Sequence, residues 1–161
     1  MTPHGSATQN SGAQGTANAY LRTKVMTASP EELRMMLLDG AVRFAYMAKE
    51  GMEKKDYEKI FEGFKQSREI VLELTNTIDP SHDPALAKNV HDLYVFIYGE
   101  LVKASLNKDT ERLDSAIKLL EYEQETWAQL LVKVAEDRKA GIAPAAPSKP
   151  EPGTPSLSIQ A

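Results

Sequence analysis

The first residue to test for chemistry is His91, a histidine followed by Asp92 in a stretch of helical period. A single exposed histidine on a helix is all that a phosphotransfer bundle needs to carry a phosphoryl group. No lysine or glycine stands immediately beside His91 to shape a phosphate site, and a helical His next to Asp is more simply a surface hydrogen-bonding pair. A helical bundle can also hold two irons, but that takes several inward glutamates and paired Glu-x-x-His motifs. Three residues before His91 stands Lys88, and His4 and His82 fall in loop-forming stretches. The chain has no cysteine, so thiolate metal sites and disulfides are excluded. Serine-nucleophile arrangements, glycine-rich phosphate loops and His-Glu-x-x-His are absent as well. The expectation is a protein that is not an enzyme and has no metal and no cofactor.

Charge says what the chain does not bind. Nineteen basic against 23 acidic side chains give a net charge of −4. Nucleic acid and anionic membranes both require a basic surface excess, so neither is an expected partner. The Glu121, Glu123, Glu125 run and the Lys54, Lys55, Lys59 cluster read as solvated faces that can orient a partner. Gly40, Gly63 and Gly99 are isolated in helical stretches, where they permit close helix packing.

The elements that must position these residues are set out by proline. Of nine prolines, five crowd the stretch from Pro144 to Pro155 and one is Pro3. Only Pro30, Pro80 and Pro84 remain between. Residues 1–17 are small and polar and cannot bury enough apolar area to offset an ordering cost of about 1 to 2 kcal/mol per residue. They are expected to be a disordered arm with no signal-peptide pattern. Residues 141–161 read as a disordered Pro/Ala-rich tail. The folded domain is therefore 18–140. After Arg22 it has no uncharged run approaching the roughly 20 residues of a membrane span. A soluble, cytosolic protein with no direct membrane insertion is expected.

Within the domain, Ser29-Pro30-Glu31-Glu32 is a capping box with proline at the first helical position. Leu33, Gly40 and Met47, with Leu37, Phe44 and Gly51, then recur in sevens. A second helix opens near Asp56 with Tyr57, Phe64, Val71 and Ile78 in register. The Asp79–Pro84 stretch stops it and caps a third, carrying Leu86, Val90, Leu93, Ile97 and Ala104. Asp109 caps the last, marked by Leu113, Leu120, Trp127 and Val134. Helices of this length span about 36 Å, and connections this short force neighbours to run antiparallel. The fold class is all-α, an antiparallel up-and-down four-helix bundle with an N-terminal capping segment and disordered termini.

Two of these helices are apolar on a second side. In the helix from Pro30, Met35, Leu38, Val42 and Tyr46 lie roughly opposite the Leu33/Leu37/Phe44 rows. In the helix from Pro84, Val95, Tyr98, Val102 and Leu106 lie opposite Leu93/Ile97. Either neighbouring helices cover these stripes, or they form grooves that receive another chain. Tyr20, Leu21, Val25 and Met26 sit in a stretch too short to be helical alone, and the second face of the Pro30 helix is the nearest surface for them. A short segment covering a groove is one that a partner can displace.

The order of motifs resembles the flagellin-specific flagellar export chaperone family. Asn18-Ala19-Tyr20, Val25-Met26-Thr27-Ala28-Ser29-Pro30-Glu31-Glu32-Leu33 and Met36-Leu37-Leu38-Asp39-Gly40-Ala41 carry the likeness. Ile70-Val71 through Leu74 to Ile78-Asp79, Leu93-Tyr94 with Tyr98 and Leu101, Lys108-Asp109 and Thr126-Trp127 extend it to about Val134. The sequence departs from the family in its longer polar N-terminal arm, its Pro/Ala tail and the Ser81-His82-Asp83-Pro84 loop. The resemblance implies a non-enzymatic cytoplasmic bundle that binds the disordered C-terminal segment of flagellin, prevents premature polymerisation and assists delivery to the flagellar export gate. It implies a displaceable role for the Tyr20–Met26 segment. Partner-binding residues are then expected at Tyr20, Val25, Met26, Met35, Leu38, Val42, Tyr46, Val95, Tyr98, Val102 and Leu106. The rival readings are a helical adaptor or chaperone for another secreted client, and a His91 phosphotransfer module.

Overall fold

The computed structural model describes residues 10–141, with side chains from residue 15. Residues 1–9 and 142–161, most of both expected arms, lie outside the described residues. Five helices follow one another, α1 (Asn10–Thr27), α2 (Pro30–Lys54), α3 (Tyr57–Asn76), α4 (Pro84–Asn107) and α5 (Thr110–Lys139). Among the described residues there is no strand. Helices α2 to α5 are the four read from the sequence. The additional α1 reaches back to Asn10, eight residues ahead of the expected domain boundary.

Each bundle helix begins where a side chain satisfies a first-turn N–H. The Ser29 hydroxyl accepts from the Glu32 amide at 3.2 Å, while the Ser29 amide donates to the Glu32 carboxylate at 2.8 Å. Asp56, Asp83 and Asp109 accept from the amides of Lys59, Leu86 and Arg112. Two helices end in the same way. Lys55 (φ 54°) and Lys108 (φ 51°) adopt the left-handed conformation. Their amides donate to the carbonyls of Gly51 and Ala104. The next residue, an aspartate in each case, donates to the same carbonyl and caps the following helix.

Helices α2, α3, α4 and α5 close into a ring, and interhelical bonds fix their antiparallel sense. Ser67 on α3 donates to the Ala41 carbonyl on α2 at 3.1 Å. Lys49 meets Asp114 at 2.8 Å near one end of the α2–α5 seam, and Trp127 Nε1 donates to the Glu31 carbonyl at 2.9 Å near the other. The core contains Leu38, Ala41, Ala45 and Ala48 of α2, Phe64, Val71 and Leu74 of α3, Tyr94, Ile97 and Leu101 of α4, and Leu113, Ile117 and Leu120 of α5. The alanines let α3 approach closely. At Gly63 a Cβ would lie 2.5 Å from the Ala48 amide nitrogen and 2.7 Å from the Phe44 carbonyl oxygen, so only glycine fits. Gly99 has open space around it, contrary to the packing role expected there.

The stripe on α2 therefore differs from the heptad reading. Leu38, expected on the second face, is 1% exposed and belongs to the core. Alanines at 41, 45 and 48 define that face, and sevenfold rows of larger residues gave them no weight. Tyr57, expected in a core row, is exposed.

Candidate binding surface

On α4, Val95, Tyr98, Val102 and Leu106 share one side. Val95 is 51% and Leu106 77% exposed, and Val102 is half-buried. Facing them, α3 presents Phe61, Lys65, Arg68 and Leu72 at spacings of four, three and four, which is one stripe of a helix. Tyr98, Val102 and Leu72 line a cavity of about 420 Å³ between the two helices, with Lys65, Arg68 and Glu69 at its margin. Among the described residues, Lys65 and Arg68 form no ion pair. Sequence reasoning found the α4 half of this groove and missed the α3 half, because two apolar residues among charges do not raise a helical stripe above a solvated background. The signal that could have found it is the Phe61–Leu72 spacing.

The second face of α2 is only partly open: Tyr46 is 45% exposed, whereas Met35 and Val42 are half-buried. Val42 packs against the core. Tyr46 donates from its hydroxyl to the Glu121 carboxylate at 2.6 Å, which holds the phenol above its ordinary pKa. Met35 lines a smaller cavity between α2, Leu131 of α5 and the end of α1. Helix α5 thus covers much of this face, and the α5 acidic run takes part in the contact. Glu121 accepts from Tyr46, Glu123 accepts from Tyr94 at 3.1 Å, and neighbouring Gln124 donates to Asp39. These two glutamates join helices as well as meeting solvent.

The Tyr20–Met26 segment is helical and does not lie across α2. Tyr20 is 67% and Met26 80% exposed. A helix of 18 residues forms here because α1 runs on from Asn10, giving the segment more turns than the stretch from Asn18 alone supplies. Only at its end does α1 meet the bundle. Val25 borders a second, larger cavity of about 820 Å³, whose apolar lining includes Leu33, Met36 and Leu37 of α2 and Trp127 of α5.

His91 is exposed, with Nδ1 3.5 Å from Asp92, whose other oxygen takes Lys88 Nζ at 2.6 Å. Lys88 foremost and His91 after it hold the Asp92 carboxyl below the usual range. Among the described residues, no group of three His, Cys, Asp or Glu side chains stands close enough to hold a metal ion.

The molecule is thus a helical bundle with a partly apolar groove between α3 and α4 on its surface, an architecture shared by many binding and chaperone proteins. Residues 12–134 match the model of the family "Flagellar protein FliS", and the chain belongs to that family of flagellar secretion chaperones. It is 29% identical over 132 residues to the flagellar secretion chaperone FliS of Bacillus subtilis (strain 168), covering 81% of this chain and 98% of that one. The chaperone of the same name from Salmonella typhimurium is 28% identical over 126 residues, covering 78% and 93%. Among the described residues, no helix is long and apolar enough to cross a membrane.

Proposed function

We propose that this chaperone binds the disordered C-terminal segment of flagellin in the cytosol, prevents its premature polymerisation and assists its delivery to the flagellar export gate. The observation that supports the reading best is the groove between α3 and α4, with Tyr98, Val102 and Leu72 in its wall and Val95 and Leu106 exposed beside it. Ordering a disordered client costs about 2 to 5 kcal/mol. Apolar burial gives roughly 25 cal/mol per Å², so a client must cover most of this stripe to bind usefully. Tyr20 and Met26 on α1 add apolar surface of the same kind, and Val25, Met35, Val42 and Tyr46 are assigned to partner contact with less open area. Leu38 reaches a client only if the core opens. The protein acts by covering its client and catalyses no reaction.

Val102→Asp tests the assignment in full-length protein. Flagellin binding is expected to be lost with helical content and unfolding temperature retained. A parallel fall in unfolding temperature makes Val102 a structural residue and overturns the groove assignment. Equal capture of flagellin lacking its C-terminal segment overturns the choice of client segment and favours a helical adaptor for another secreted protein.

A further inference from the structure

Helix α3 separates two apolar depressions with opposite charge at their margins. On its α4 side stand Lys65 and Arg68, with Glu69 as the one carboxylate among the described residues. On its α2 side, the cavity of about 820 Å³ is edged by Glu31, Glu73 and Asp79. Among the described residues, the Glu31 and Glu73 carboxylates have neither a hydrogen bond nor an ion pair. Asp79 accepts from the Ser81 amide at 2.9 Å, a bond that holds its carboxyl below the usual range. Among the described residues the one permanent cation in the wall, Arg34, is turned inward. Its guanidinium lies 5.2 Å from the Trp127 ring centre and 5.5 Å from that of Tyr94, and donates to the Tyr94 hydroxyl at 3.3 Å. His82, the remaining titratable group, stands on the loop side.

We propose that this cavity is a second docking site, separate from the α3–α4 groove, for a polypeptide segment that is apolar in its middle and cationic at its flanks. The floor of Leu33, Met36 and Leu37 takes apolar side chains, and Met36 adapts to their shape. The unpaired carboxylates receive lysine or arginine one turn to either side. The same carboxylates repel phosphate-bearing surfaces, so neither a lipid headgroup nor a nucleic acid is the occupant. The site does not depend on which client fills the α3–α4 groove.

The test uses the full chain and a synthetic peptide about four helical turns long, with leucines at helical spacing in its middle and arginine pairs at both ends. A control peptide carries glutamate pairs instead. Fluorescence anisotropy at low salt is expected to show the arginine peptide bound about tenfold more tightly, the sum of a few exposed pairs, with the difference shrinking as salt rises. Trp127, the only tryptophan, is expected to change its emission on binding. Glu31→Gln with Glu73→Gln is expected to erase the preference, and Glu31→Lys with Glu73→Lys to reverse it. Equal affinity for both peptides, binding of neither, a preference that survives charge reversal, or unaltered Trp127 emission each overturns the proposal.

Discussion

Arg112 Nη1 lies 2.9 and 3.2 Å from the two carboxylate oxygens of Glu100, and Glu100 is 8% exposed. The same arginine reaches Asp109, the cap of its own helix, at 3.3 Å, so one side chain ties a buried acid on α4 to the turn that starts α5. Arg112→Ala is expected to lower stability by about 1 to 2 kcal/mol. The cost falls short of that for a fully buried pair because the arginine is partly exposed and Lys103 remains 3.6 Å from Glu100. The midpoint of urea unfolding measures this, and an unchanged midpoint rules out a stabilising role.

Gly63 and Gly99 are expected to respond oppositely to alanine. At Gly63 the new Cβ meets α2 backbone, which cannot rotate away, and a loss of about 1 to 3 kcal/mol follows. At Gly99 nothing lies within 4 Å, so alanine gains its helix propensity, about 0.8 to 1 kcal/mol. Thermal unfolding of the two variants is expected to move in opposite directions.

Those glycines show where sequence reading succeeds and where it stops. Caps are local chemistry, so Ser29, Asp56, the Asp79–Pro84 stretch and Asp109 mark the bundle helix starts in the sequence alone, and the structure narrows the third cap to Asp83. Packing faces are relational. Leu38 and Val42 look alike in a helical wheel, but the sequence does not state that α5 will lie over one side of α2. The α4 stripe was legible because Val95, Tyr98, Val102 and Leu106 form a row by themselves. Its α3 partners were not, since a groove wall is defined by what it faces.

Lys55 and Lys108 both occupy left-handed backbone, where a side chain costs roughly 1 to 2 kcal/mol. Glycine at either position is expected to stabilise the protein. Lys55→Gly should gain more, because Lys108 Nζ also sits 5.2 Å from the Tyr57 ring centre and its removal gives up that attraction. Equal gains in unfolding temperature would remove energetic weight from the Lys108–Tyr57 contact.

Tyr94 carries a pH signature. Burial, foremost, pushes its phenol up to about 12 from 10.0, and Glu123 adds to the rise while Arg34 opposes it. The folded state therefore holds this proton more tightly than the unfolded state. Its contribution is fully present below pH 10.0 and is lost as pH rises toward about 12. Wild type is expected to lose stability across that interval more steeply than Tyr94→Phe, whose ring has no proton to release. Equal slopes in alkaline unfolding would show that the phenol ionises alike in both states.

The two lysine–aspartate turns stand side by side, since Lys55, Tyr57, Lys108 and Thr110 border one small cavity. That end of the molecule is a hinge pin, two tight reversals locked by doubly used carbonyls at Gly51 and Ala104. The far end has no such turn and is held by side-chain contacts such as Trp127 to the Glu31 carbonyl and Arg34 to Tyr94, beside the longer run between α3 and α4 and the α1 junction. Amide exchange should grade along the bundle axis, slow at the pinned end and fast around Pro30 and His82. Should exchange follow that order, the bundle opens like tongs, and the end that parts first carries the acidic-edged cavity.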